Sequence, residues 1–315
     1  MALKRTWRGV RRRVPSGVRR PRRTAPLTLL TAVLVLALVS AGCGMTGTVV
    51  VNETVEESVD VEGGSRILVE TFNGRISVIT GGDSTIEARV VKRGSGRNQE
   101  DAERDLARVE LSIVQEGTRV TVAVRRTDDA ISLGNSGADV ELSVPVDSSL
   151  ELRTSNGRIE SANVTGSVIA RSSNGGVTIR DASDVDAETS NGPLTVAESS
   201  GTLDLRTSNG ALDIVSAQNA VVRAETSNGS LGFSGTLDPG DHLFRTSNAS
   251  LALMLPADAE FSIDGQTSNA SVSSNFMSLT VGDDSLAGTS TDNGEPDVRI
   301  RAETSNGDLT VASQP

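Results

Sequence analysis

Few residues in this chain are able to carry chemistry. His242 is its single histidine, Cys43 its single cysteine, and there is no tyrosine. His242 ends the stretch Asp238-Pro239-Gly240-Asp241-His242, so a carboxylate and an imidazole adjoin, and with a serine they would hold the parts of a nucleophilic triad. The setting points elsewhere. An acidic turn leads into a strand, and His242 stands six residues before Asn248, where other repeats place Val185, Leu203 and Val222. It reads as a turn-and-strand residue. One histidine also excludes a histidine-based metal cluster. Asp128-Asp129 and Asp283-Asp284 offer the hard oxygens that calcium takes, but neither pair belongs to an EF-hand loop or a Gly-Gly-x-Gly-x-Asp repeat. They read as solvated turns. No catalytic residue, metal ligand or cofactor is assigned. The sharper enzymatic alternative is a solenoid lyase or hydrolase acting on an envelope or external polysaccharide. Glycoside cleavage needs a placed pair of carboxylates. No acidic pair stands out by spacing, and Phe is the only aromatic outside the leader.

Cys43 carries a different chemistry. Residues 1–26 hold ten basic side chains and no acid, and an apolar run from Leu27 to Ala41 ends in Gly42-Cys43-Gly44. Basic region, short apolar region and small residues form the layout of a secretory signal. The run is shorter than the roughly 20 residues a spanning helix prefers. Val39-Ser40-Ala41-Gly42-Cys43 resembles the bacterial lipobox, with Ser40 where Leu is commonest. The resemblance implies cleavage before Cys43 and diacylglycerol on its thiol. Residues 1–42 are then a lipoprotein signal peptide and 43–47 a lipid-anchored tether; the alternative is an uncleaved single-pass anchor. Either arrangement puts the bulk of the chain on the extracytoplasmic face of the membrane. A single cysteine leaves no intramolecular disulfide to stabilise it. The formal charge is −11 over the chain, and setting aside the ten leader cations leaves −21 from Cys43 onward. Such acidity repels phosphate and excludes nucleic acid as a partner.

The elements that would position any site come from a repeat. Thr/Ser-Ser-Asn-Gly/Ala recurs with its Asn at Asn156, Asn174, Asn191, Asn209, Asn228, Asn248, Asn269 and Asn306, and an isolated relative holds Asn73. The spacings are 18, 17, 18, 19, 20, 21 and 37, the last close to two periods. Apolar residues alternate on both sides, as in Val185 and Ala187 before Asn191 and Leu194 and Val196 after it. Period two means strands with one buried face. Asn-Gly between such strands is also a hairpin signal, which would give an antiparallel meander. Three features favour stacked parallel coils. Asn ladders need like residues in columns. Ala249 and Ala270 replace Gly, where a type I′ turn requires positive φ. The residue before five successive motifs alternates in sign, as Arg171, Glu188, Arg206, Glu225 and Arg245, while Arg153 and Gln266 do not continue the pattern. Such a column specifies register more than it stabilises. The fold expected is all-β: a parallel β-solenoid (β-helix) of 17–21-residue coils. With so few aromatics its core must be thin.

Residues 48–313 make up this domain. Strand-like stretches at Thr48–Val51, Arg66–Glu70, Arg75–Ile79 and Thr85–Val90 suit opening coils. Residues 91–137 read as a helix-containing insertion or cap, with Asn98 capping a short helix through about Val109, followed by strands Glu110–Val114 and Arg119–Val124. Regular coils occupy 140–313. At the other end the chain stops soon after the strand with Leu309 and Val311, which reads as an uncapped edge and a contact surface.

Repeated strand–Thr-Ser-Asn-Gly–strand units, a helix-bearing insertion and an N-terminal anchor together resemble the bacterial putative-adhesin family of β-strand-repeat envelope proteins, related to toast-rack domains. The resemblance covers Thr48 to Ser313 and implies a surface or envelope-stress role, with no catalytic residues to carry over. The function expected is non-catalytic: a lipid-anchored solenoid serving adhesion, scaffolding or envelope sensing. Its partners would be the membrane, through the N-terminal lipid, and an envelope protein or glycan.

Overall fold

The computed structural model describes residues 48–61, 63–128, 136–291 and 294–314. Cys43, the leader and the tether lie outside the described residues. The N-terminal part runs β1 (Val49–Asp60), β2 (Arg66–Thr71), β3 (Ile76–Thr80), β4 (Thr85–Gly96), α1 (Gln99–Leu106), β5 (Val109–Glu116), β6 (Arg119–Arg126) and β7 (Gly137–Val144). Regular units follow: β8 (Ser149–Thr154) with β9 (Ile159–Ala162), β10 (Val168–Ser172) with β11 (Val177–Arg180), and β12 (Ser183–Thr189) with β13 (Leu194–Ala197). Next, β14 (Ser200–Thr207) leads into the long β15 (Leu212–Thr226), then come β16 (Leu231–Leu237), β17 (Gly240–Arg245) and β18 (Leu251–Leu255). The C-terminal part is β19 (Ser262–Gln266), β20 (Val272–Ser274), β21 (Thr280–Val281), β22 (Ser285–Thr289), β23 (Val298–Glu303) and β24 (Leu309–Ser313).

These strands form two parallel stacks, joined coil by coil at the Thr-Ser-Asn-Gly corner. The first stack runs β6, β2, β8, β10, β12, β14, late β15, β17, β23, β19. The second runs β7, β3, β9, β11, β13, early β15, β16, β18, β24, β20. The architecture is thus a parallel β-solenoid, not a meander. Inward positions form columns. Leu150, Val168, Val185, Leu203 and Val222 stand in register on the first stack, and Ile159, Val177, Leu194, Leu212, Leu231 and Leu251 on the second. All are buried. The columns alternate large and small residues where a ring must fit. Phe244 lies between Ala224 and Ala302 in register, and its ring centroid is 5.2 Å from that of Phe233.

Coil order follows chain order only in the middle. At the N-terminal end the coil of β6 and β7 stacks outside that of β2 and β3. Part of the 91–137 stretch therefore forms the end rung of the solenoid, outside β2 and β3. The helix is shorter than expected and ends at Leu106; Asn98 caps it, its side chain accepting from the Asp101 N–H at 2.8 Å. Asp105 ties this helix to the coils, accepting from Ser95 N–H at 2.9 Å, from Arg126 at 3.1 Å and from the Ser136 hydroxyl. At the other end, β23 and β24 insert between β17/β18 and β19/β20. Leu309 and Val311 are therefore fully buried, with strands on both sides, and are no exposed edge. A strand pattern records which face is buried but not which neighbours it finds. The outermost rung is instead β19 with β20, on which β22 and then β21 pair antiparallel.

The second corner of the middle coils is tight. Asn163, Asp181, Glu198 and Ser216 occupy it with φ of 59°, 53°, 53° and 53°. Left-handed backbone costs a residue with a side chain roughly 1–2 kcal/mol, part of which a glycine returns as unfolded-state entropy. Glu198 is exposed and its N–H reaches the Val215 carbonyl at 2.9 Å, a bond any residue keeps. Glu198→Gly is expected to stabilise the fold by about 0.5–1 kcal/mol. A denaturant midpoint no higher than that of the parent, at unchanged slope, would show the corner to be unstrained.

Candidate functional surface

The repeated corner is the most regular surface of the molecule, and each of its four residues has a distinct task. The first is buried: Thr71, Thr154, Ser172, Thr189, Thr207, Thr226, Thr246, Thr304 and Thr267. Its hydroxyl donates to the carbonyl of the fourth motif residue, or its counterpart, on the preceding coil at 2.8–3.2 Å. In six corners the same oxygen accepts the N–H of its own fourth residue at 3.0–3.4 Å. The second residue, Ser, accepts through its carbonyl the Asn N–H of the next coil at 2.9–3.1 Å. Its side chain points to solvent in Ser155, Ser173, Ser190, Ser208, Ser227 and Ser268.

The third residue builds the ladder. Asn174 donates to Asn156, Asn191 to Asn174, Asn209 to Asn191, Asn228 to Asn209, Asn248 to Asn228, Asn306 to Asn248 and Asn269 to Asn306, all at 2.7–2.8 Å. The spacing of 37 between Asn269 and Asn306 is thus no double period: Asn306 sits between Asn248 and Asn269. The fourth residue is Gly in six corners, for room, and Ala249 or Ala270 in two. A Cβ on Gly157, Gly175, Gly192, Gly210, Gly229 or Gly307 would lie 1.6–2.3 Å from a carbonyl oxygen of the coil before. Positive φ is not the reason, since none of these six adopts it.

Beside the corner runs the charge column. Arg171 meets Glu188 at 3.5 Å, Arg206 meets Glu225 at 3.8 Å and Arg245 meets Glu303 at 3.3 Å. Glu303 extends the alternation out of chain order, a place the sequence signalled only through its Glu three residues before Asn306. At the other end Arg153 approaches Glu70 at 3.9 Å, and Arg153 and Arg171 adjoin as the one like-charged step. Two shallow grooves of about 330 and 370 Å³ lie along this column, one lined by Arg153, Arg171 and Ser173, the other by Arg206, Glu225 and Ser208.

The residues singled out for chemistry are drawn apart. His242 is 2 % exposed and stands in register with Ile300. Its Nδ1 accepts the Val222 N–H at 3.2 Å and its Nε2 faces the Asp238 carbonyl at 2.9 Å, so both ring nitrogens serve backbone groups. Asp241 turns outward to Arg299 at 2.6 Å, which lowers its pKa. No triad forms around this histidine. Asp128 pairs with Arg126 and Arg108 at 2.9 and 3.3 Å, and Asp129 lies outside the described residues. Asp283 and Asp284 are exposed in the turn between β21 and β22. Among the described residues no three His, Cys, Asp or Glu side chains converge as ligands for a metal.

The family model described as Toastrack DUF4097 matches residues 65–312. The chain belongs to the toastrack DUF4097 family. Its boundaries take in the permuted coils at both ends of the toastrack solenoid. No curated protein matches it. Among solved structures, a "putative adhesin" from Bacteroides fragilis is similar at 11 % identity and TM-score 0.39, over 83 % of this chain and 97 % of that one. A "putative adhesin" from Parabacteroides merdae gives 12 % and 0.39, over 83 % and 96 %. A "putative lipid binding protein" from Parabacteroides distasonis gives 8 % and 0.32, over 83 % and 97 %. At such scores none of the three assigns a function to this toastrack protein.

Two measurements test the corner. Thr207→Val removes a hydroxyl that serves the Gly192 carbonyl and the Gly210 N–H, at 3.2 Å each. Leaving both unpaired is expected to cost about 2–4 kcal/mol, while Thr207→Ser recovers most of it. Equal stability of the valine and serine variants in chemical denaturation would remove the hydroxyl from the account. Burial holds the His242 pKa below its usual 6.5, against the opposing pull of Asp238 and Asp241. A depressed folded pKa means that the unfolded chain takes up the proton first. The contribution of neutral His242 is therefore complete above pH 6.5 and declines as pH falls through the folded pKa. His242→Ile is expected to cost about 1–3 kcal/mol at neutral pH, because the Val222 N–H loses its acceptor, and to flatten the acid-side slope of stability. A slope identical to the parent's would place that proton uptake elsewhere.

Proposed function

We propose that this toastrack protein is a non-catalytic, lipid-anchored envelope protein whose solenoid presents its polar corner for adhesion, scaffolding or envelope sensing. The carrying observation is the use of polar groups. The buried corner hydroxyls, the single histidine and most charged side chains near the corner are bound to other parts of the fold. What remains accessible is a column of serine hydroxyls and asparagine amides, repeated at the strand spacing of about 4.8 Å. A periodic surface of that kind recognises a periodic or extended partner, such as a glycan or a peptide strand. Phosphate-rich polymers are disfavoured by the acidity of the exported part. Anchoring rests on the lipobox-like Val39–Cys43 and on β1 beginning at Val49, within a few residues of Cys43.

Cross-linking in living cells tests this reading, with the tagged full chain and Cys43→Ala as the unanchored control. Capture of one envelope protein, lost in the control, is the outcome expected of a scaffold or sensor; capture of wall or surface glycan alone is that of an adhesin. Equal membrane fractionation of parent and control would overturn lipid anchoring. Turnover of a captured glycan by the purified protein would overturn the non-catalytic reading.

A further inference from the structure

Nearly every arginine of the described residues is ion-paired, and the exceptions are Arg66, Arg119 and Arg180. Arg180 is isolated, in register with Ala162 on one side and Ala197 on the other. Arg66 and Arg119 are not. They begin β2 and β6, stand directly in register on these adjacent parallel strands, and are both exposed. Strands that adjoin are about 4.8 Å apart, and like charges placed opposite one another destabilise a sheet. Elsewhere in this fold charges beside one another are mostly of opposite sign. In a domain of strong negative charge, two unpaired cations held side by side need a reason.

Their surroundings supply one. The outward column continues from Arg119 and Arg66 to Ser149, in register on β8, and then to Ser167. The next column carries Leu68 and Ile169 on either side of Glu151, and Ile169 is 37 % exposed although it is a large apolar residue. Between them lies a groove of about 320 Å³ lined by both guanidinium groups, both serines and these two apolar side chains. Two acids lie near. Glu151, also in the lining, is engaged by Arg153. Glu116 faces Arg119 across the β5–β6 hairpin and closes no ion pair with it. The groove therefore offers two free cations and two hydroxyls beside the apolar side chains of Leu68 and Ile169, which flank the Arg153-bound Glu151.

The geometry points to a binding site for the phosphodiester headgroup of an anionic lipid, with Arg66 and Arg119 on the phosphate, Ser149 and Ser167 on its polar substituent, and Leu68 and Ile169 against the first methylenes of the chain. Guanidinium is the donor best matched to phosphate oxygens, and its forked N–H groups give charge-assisted bonds. The two apolar side chains in the lining, Leu68 and Ile169, are what would favour a lipid over a free anion. This site is separate from the corner surface and does not depend on acylation of Cys43.

The test uses the full chain in a non-ionic detergent, titrated calorimetrically with short-chain phosphatidylglycerol. Arg66→Gln combined with Arg119→Gln is expected to weaken binding at least about tenfold, the loss of two charge-assisted contacts. Arg180→Gln should leave it unchanged, and Glu116→Gln should tighten it by removing a negative charge that faces Arg119 and would repel the phosphate. Phosphatidylcholine of the same chain length and inorganic phosphate should both bind more weakly. Because the two arginines are exposed and mutually repulsive, the double variant should melt no lower than the parent. An unaltered affinity in the double variant would overturn the assignment. So would phosphatidylcholine binding as tightly, which removes the charge argument, or inorganic phosphate doing so, which removes the lipid.

Discussion

Everything in this fold depends on closing one corner at the strand spacing. Parallel coils stacked about 4.8 Å apart leave no room between their turns, and a turn that cannot reach water must give its backbone groups to its neighbours. A buried threonine hydroxyl is suited to this, since it donates to the coil before and accepts from its own turn. Glycine fills six of these corners, where a Cβ would collide with the preceding carbonyl, at 1.6 Å in the tightest case, while Ala249 and Ala270 fill two others. Asparagine supplies both a donor and an acceptor, so each amide can bond the one before and be bonded by the one after. The tetrapeptide is thus the solution to a packing problem, and the exposed serine and asparagine columns are its outer side. Structure and candidate surface share one cause.

That cause explains what the sequence discloses. A requirement imposed on every coil leaves the same residue type at the same place, so the corners, the inward columns and the parallel stacking are legible in Asn156 through Asn306. The order of coils is not, because β24 meets the local rules equally well beside β18 or beyond β20. The alternation of charge held the missing signal. Gln266 breaks the sequence of signs after Arg245, whereas Glu303 continues it, and Glu303 is the residue that pairs with Arg245 at 3.3 Å. Read as a selection rule for neighbours, the column orders the last coils correctly. At the first end the rule places β2 beside β8, since Glu70 stands in register with Arg153, but it does not place β6, whose residue beside Glu70 is the uncharged Ala123. His242 is a different case. Its column position was legible from the offset to Asn248, but its two backbone bonds depend on the turn at Asp238, which no periodicity describes.

Permuting the end coils also manages the edges. An exposed terminal strand recruits other strands, and short or antiparallel-covered edges limit this. The last strand in sequence lies inside, while the outer rung ends in β20, of three residues, and β21, of two. At the opposite end β5 covers β6 and β4 covers β7. The twelve-residue outer strand β1 carries Glu53, Glu56, Glu57 and Asp60 and no basic residue. A second copy pairing there would set acid against acid. The solenoid can stay long and regular because neither end repeats its own interior.

Regularity itself then separates two kinds of surface. Where a column repeats, any contact made at one coil is available at the next, so such a surface recognises a partner by period and tolerates shifts along the axis. Where a column breaks its rule, the site is singular and fixes a ligand in one place. The asparagine column is of the first kind. The arginine pair at Arg66 and Arg119 is of the second, since both members lack the ion-pair partners that nearly every other arginine of the described residues has. In a repeat protein the departures carry the information that conserved constellations carry in an ordinary enzyme. They stand out because the physics of stacking accounts for the rest.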